Sequence, residues 1–245
     1  MHQLFCRSFF ISVLVGFSQC CCADIHDMSR IFHSLPNISS FEICHSGGCA
    51  EVSELSLSEN EWQQVSTIFD NNAQNAAEER AQIAQAIGML ERLVGNKIGT
   101  SGDLAGTFGN SSHKGQLDCN DEAINSTTYM RLLASNGLMP LHAIEDTRTR
   151  SFFLTGWPHS TAVIREIATG EQFAVDSWFF DNGHAATIVP LKVWKANYQP
   201  ADSPIGKTRL AIPATKSDQQ SHLKFDASEA AITDKAIVTK VENLP

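Results

Sequence analysis

Apolar residues recur at helical spacing in two early stretches, Trp62, Val65, Ile68 and Phe69, then Ile83, Ile87, Leu90 and Val94. Ser58 followed three residues later by Glu61 is a capping-box signature, so the first helix starts there. The second is expected from about Ala76 to Leu93, with Glu78, Glu79, Gln82 and Glu91 mostly off the apolar face and Gly95 as its stop. A third helix begins near Cys119 and runs through Ile124, Thr128, Tyr129, Leu132 and Leu133 to Asn136 and Gly137. Three strands follow, LMPLHAIE from Leu138, STAVIREIA from Ser160 and EQFAVDSWF from Glu171, with a turn at Thr169 and Gly170. Upstream, FEICHSGGCAEVSEL reads as an extended stretch that turns back through a loop bounded by two cysteines. Helices followed by hairpin strands define an α+β chain.

The first 23 residues, MHQLFCRSFFISVLVGFSQCCCA, place Arg7 ahead of an apolar run from Phe9 to Phe17 and end in small residues. This is the pattern of a signal peptide cleaved after Ala23, and the run is too short for a stable membrane span. A lipid anchor on Cys20 is the lesser alternative, because Phe17, Ser18 and Gln19 are a poor approach to a lipidated cysteine. The expected divisions are therefore a signal peptide at 1–23, an N-terminal segment at 24–57, a folded domain at 58–200 and a polar tail at 201–245. The protein is expected to be exported, to a periplasmic or extracellular location. Its net charge of −9 and lack of any basic run argue against a nucleic-acid partner.

Removal of the leader takes four of the seven cysteines and leaves Cys44, Cys49 and Cys119. In an oxidising compartment three cysteines make one pair and one leftover thiol. Cys44 and Cys49 enclose His45, Ser46, Gly47 and Gly48, where adjacent glycines favour a tight disulfide-closed loop. A zinc site from Cys44, His45 and Cys49 with His26 or His33 is the alternative, at marginal ligand spacing. On the disulfide reading Cys119 is the free thiol.

Three positions then carry chemistry: Cys119 opening a helix, His159 just before a strand and Asp176 near the end of the next strand. Unpaired amides at a helix start favour a thiolate, a histidine can take the thiol proton, and a carboxylate on the other ring nitrogen fixes its tautomer. The motifs LDCNDEAINSTTYMRLL and PHSTAVIREIATGEQFAVDSW, spanning Gln116 to Trp178, resemble the transglutaminase-like superfamily. That resemblance implies a helix bearing the nucleophile packed on an antiparallel sheet, with Cys119, His159 and Asp176 as the catalytic residues. The implied activity is acyl transfer from an amide through a thioester, as a protease, an amidase or a transglutaminase, with no cofactor. A peptide or protein is the implied substrate, and a cell-wall peptide fits a bacterial envelope location.

Around this core, Gln116 is a candidate oxyanion donor, and Trp157 and Trp178 are candidate walls of the site. His142 and His184 compete for the role of base. A two-residue turn at Thr169 and Gly170 would leave His159 about 13 Å along its strand from the residue opposite Asp176, so a bulge or longer turn is required, and a bulge is expected. Without one, Asp181 or Asn182 becomes the partner. The triplets at Asn37, Asn110 and Asn125 match glycan acceptors, but Asn125 falls on the cysteine helix, and all three are read as incidental. The chain has no phosphate loop, HExxH or dinucleotide fingerprint. The contrasting expectation is a binding scaffold of the cell envelope with this fold and no turnover.

Overall fold

The computed structural model describes residues 35–107, 114–150 and 158–205. The order is β1 (Phe41–His45), β2 (Glu51–Leu55), α1 (Glu59–Ser66), α2 (Ala76–Ile98), α3 (Cys119–Ser135), β3 (His142–Arg150), β4 (His159–Glu166), β5 (Gln172–Asp176), β6 (Thr187–Pro190) and α4 (Leu191–Lys195). The fold is α+β. Strands β3 to β6 form an antiparallel sheet in sequence order, and β1 and β2 form a separate hairpin.

Each helix start has its chemical signal. Ser58 accepts the Glu61 amide while the Glu61 carboxylate accepts the Ser58 amide at 2.7 Å, so the expected capping box opens α1. Asn75 caps α2, which runs past the expected stop at Gly95 to a left-handed Gly99 with φ 79°. Gly95 instead permits a close approach, since a Cβ there would lie 3.0 Å from the Ser101 amide nitrogen.

Helix α3 is central, packed against β1 on one side and β4 on the other. Its middle, Asn125, Ser126, Thr127 and Thr128, is polar yet fully buried. Burial without partners would be costly, and three of these side chains are satisfied by backbone or by a neighbouring hydroxyl. The Asn125 amide exchanges two 2.8 Å hydrogen bonds with the Cys44 backbone, Thr127 donates to Ala123 O, and Ser126 meets Ser177. A glycan on Asn125 is therefore incompatible with the fold.

The boundary expected at residue 58 does not divide the core, because Phe41 and Ile43 of β1 share one apolar cluster with Trp62, Ile83, Leu132 and Ile164. Nor does the folded part stop at 200. Ser203 is buried and donates to Phe179 O at 2.7 Å. The remainder of the expected tail, the expected leader, His26, His33, Asn110 and Trp157 lie outside the described residues. Among the described residues, no helix is long and apolar enough to cross a membrane.

Candidate active site

Cys119 is the first residue of α3, set there by Asp118, whose carboxylate accepts the amides of Asn120 and Asp121 at 2.9 Å each. Cys44 and Cys49 are joined as a disulfide, with Cα atoms 4.6 Å apart, and Cys119 is the free cysteine among the described residues. The residue is only 6% exposed. Burial pushes its thiol up to about 12, with the charges of Asp118, Asp176 and Glu122 adding to the effect and the Ser160 amide opposing it. Desolvation and three nearby carboxylates thus act against the lowered pKa expected of a cysteine at a helix start.

His159 opens β4 and Asp176 closes β5. Their strands pair from Ala162 opposite Val175 to Arg165 opposite Gln172, with no register shift. Continuing that register sets Asp176 opposite Thr161, two residues from His159 and on the same face. The gap is closed by a longer turn rather than the expected bulge. Glu166 N donates to Glu171 O and Gly170 N to Glu166 O, both at 2.8 Å, so Ile167–Gly170 form the loop. The bulge lies instead on the other side of β4, between Glu145 and Arg148 of β3.

The result is a 2.7 Å contact from His159 Nε2 to Asp176 Oδ2. Oδ2 also accepts the Trp194 indole N–H at 2.6 Å, so it acts as an acceptor and Nε2 carries the hydrogen. In the neutral ring Nδ1 then has the lone pair, and Nδ1 is buried and without a hydrogen-bond partner. The ring is enclosed by Trp178, Trp194 and Phe179, with centroids 4.5, 5.5 and 5.6 Å away. Such a box excludes water and strengthens the imidazole–carboxylate contact. Trp178, expected as a candidate wall, packs against the ring, and its indole donates to Thr107 O at 2.8 Å.

Gln116 has a different setting from the one expected of an oxyanion donor. Its amide donates to Gly102 O and accepts from Leu104 N, tying the preceding loop to the approach to α3. His142 lies at the far end of β3 from the position paired with His159, eight residues or about 26 Å away, where it binds Glu79 at 2.8 Å. His184 is exposed and stacks on Phe180. Asp181 accepts Ala105 N at 2.9 Å, and Asn182 N donates to Asp103 O at 3.0 Å, so both hold loop backbone.

Two features escaped sequence reasoning. Trp194 sits on the short α4, and Arg150, the cross-strand partner of His159, places its guanidinium 4.5 Å over the Trp194 ring and donates to Trp194 O and Tyr198 O. The regular alternation of Arg and Thr in β3 marks Arg150 as inward-facing or outward-facing without distinguishing it from Arg148. The second feature is a buried group of acids beneath the site, Glu91, Asp103 and Glu122. Ser177, next to Asp176, donates to Glu122, Leu117 N donates to Asp103 at 2.9 Å, and Gly183 N donates to Glu91 at 3.1 Å. Burial raises all three, and repulsion from neighbouring acids adds to it at Glu122 and Glu91: Glu122 is raised well above its ordinary value, Asp103 is raised, and Glu91 is raised to about 7. These acids fasten the loops that carry Cys119 and Asp176.

Comparison of the chain with protein-family models, with curated proteins and with solved structures finds no match.

Proposed function

We propose that the protein is an exported, cysteine-dependent acyl-transfer enzyme of the transglutaminase-like type, acting on an amide bond of a peptide or protein. The observation that carries this reading is the unpartnered, buried Nδ1 lone pair of an imidazole held by Asp176, on the residue adjoining the Ser160 amide that acts on the Cys119 sulfur. In the reaction the Cys119 thiol proton passes to Nδ1 as sulfur bonds to the amide carbonyl carbon. The resulting imidazolium keeps its Nε2–H on Asp176 and delivers the Nδ1 proton to the amine as the C–N bond breaks. Water or a second amine then attacks the thioester, gives a proton to His159, and the thiol is restored. Because the thiol is neutral at rest, proton transfer accompanies attack rather than preceding it. The leader sequence supports export, and a cell-wall peptide suits that location.

A second reading, a binding scaffold without turnover, is favoured by the high thiol pKa. The test is the rate of Cys119 alkylation by iodoacetamide against pH, in the native protein and in His159→Ala. A histidine base predicts a loss of at least about tenfold in the variant near neutral pH. Equal rates would remove His159 from that role and leave Cys119 as a packed thiol.

A further inference from the structure

The loop closed by Cys44 and Cys49 faces the start of α3. Four consecutive residues, Ser46, Gly47, Gly48 and Cys49, have φ of 71, 85, 61 and 57°. A run of left-handed residues aims its amides to one side and forms an anion-binding concavity. Two of the four are not glycine, and such residues rarely adopt this conformation unless something holds them in it. Here the disulfide fixes the ends of the loop. Its amides are spent on the two acids that flank Cys119. Gly47 N donates to Asp121 Oδ2 at 2.8 Å, Cys49 N to Asp121 Oδ1 at 2.6 Å, and Gly48 N to Asp118 Oδ2 at 2.7 Å.

Asp118 is the N-cap of α3 and Asp121 completes its capping box, so both carboxylates serve the helix start and the loop at once. Asp121 is completely buried, and the Asn125 side chain ties the Cys44 backbone to the same helix one turn further on. A buried carboxylate stripped of its donors would move toward water or take up a proton. Either change loosens the first turn of α3, whose first residue is Cys119.

We propose that the disulfide loop is a latch on Cys119: by binding Asp118 and Asp121 through three amides it holds the thiol buried and sets its reactivity. The latch is a positioning device and stands whether or not Cys119 takes part in catalysis. Releasing it exposes the sulfur, removes much of the desolvation that suppresses ionisation, and makes the thiol react faster with a small alkylating agent.

The experiment compares the rate of iodoacetamide labelling of Cys119 against pH, and at pH 8 in particular, in the native protein, in the double variant C44S/C49S, and in Asp121→Asn. In the double variant Cys119 is the sole cysteine of the described residues, so the labelled site is unambiguous. In Asp121→Asn the disulfide remains, but the side-chain NH2 opposes one of the two loop amides. The expected result is labelling faster by about tenfold or more in both variants, with a midpoint moved down toward that of an ordinary thiol. A secondary effect on overall stability would lower the urea midpoint and leave native-state labelling unchanged, which would overturn the latch. If C44S/C49S does not fold, Asp121→Asn decides alone: a wild-type rate and midpoint there overturn the proposal. A slower rate on removing His159 and a faster rate on removing the latch are opposite readouts, so failure of one proposal is distinguishable from failure of the other.

Discussion

Glu91→Gln tests whether the acids beneath the site hold protons at neutral pH. Burial raises the Glu91 carboxyl from an ordinary 4.5 to about 7, with Asp103 adding to the rise and the Gly183 amide, the Ser177 hydroxyl and Arg92 opposing it. A folded pKa above the unfolded one gives stability that is complete below about pH 4.5. As pH rises the unfolded carboxyl ionises first, and the contribution is lost by about pH 7. The gap between 4.5 and 7 corresponds to roughly 3 kcal/mol, reduced toward 2 because Glu91 keeps some contact with solvent. Glutamine mimics the protonated form, and its oxygen can still accept the Gly183 amide now 3.1 Å from Glu91. It also removes the charge that helps raise Glu122. Urea unfolding at pH 4.5 and 7.5 should therefore show the native protein losing about 2–3 kcal/mol more than Glu91→Gln over that interval. Parallel pH dependences in the two proteins would refute a protonated Glu91.

Other substitutions probe the contacts around His159 and the far edge of the sheet. Trp194→Phe keeps an aromatic ring under Arg150 but deletes the N–H on Asp176, and should lower stability in urea by about 1–3 kcal/mol. It should also shift the pH profile of Cys119 alkylation, because Asp176 then binds His159 alone of these two donors. His142→Ala removes the partner of Glu79, whose carboxylate is 1% exposed and keeps only the Leu141 amide among its contacts here, so a loss of about 3 kcal/mol is expected. Cys119 alkylation should be unchanged in that variant, since His142 lies at the opposite end of the sheet.

The helices that were legible in the chain were those with a capping signal and an apolar stripe. Ser58 with Glu61 and the series Ile83, Ile87, Leu90 each announce a helix through local chemistry. The strand after α3 was displaced in the sequence reading because Leu138 and Met139 are apolar for another reason. Leu138 N caps Leu133 O, Met139 packs into the core, and Pro140 has no amide to give a ladder. The polar EDTRTR run is strand because β3 is an edge, where one side of the backbone needs no partner strand. β6 and α4 are only four and five residues long, too short for periodicity to register. The pairing of His159 with Asp176 was legible in parity, while its distance depended on turn length, which Thr169 and Gly170 alone did not define.

The electrostatics of Cys119 bear directly on what the proposed reaction asks of its substrate. Asp118, Glu122 and Asp176 all oppose a thiolate, and Arg150, a cation that interacts with both Cys119 and Asp176, donates to the carbonyls of Trp194 and Tyr198. A site built to store a thiolate would place cations where these acids stand. This one holds a neutral thiol, and His159 Nδ1 is buried with no hydrogen-bond partner, Cys119 included, so in the proposed reaction negative charge would arise only as sulfur attacks and would pass at once to the carbonyl oxygen. The acids then discourage nonspecific alkylation or oxidation of the resting thiol, since both proceed through the thiolate. The proposed reaction would require a carbonyl already positioned against the sulfur, and its selectivity would come from that positioning rather than from intrinsic nucleophilicity. On this reading the latch of Gly47, Gly48 and Cys49 and the buried group of Glu91, Asp103 and Glu122 serve one end: they fix the two loops and the helix turn whose geometry decides when the proton can leave Cys119.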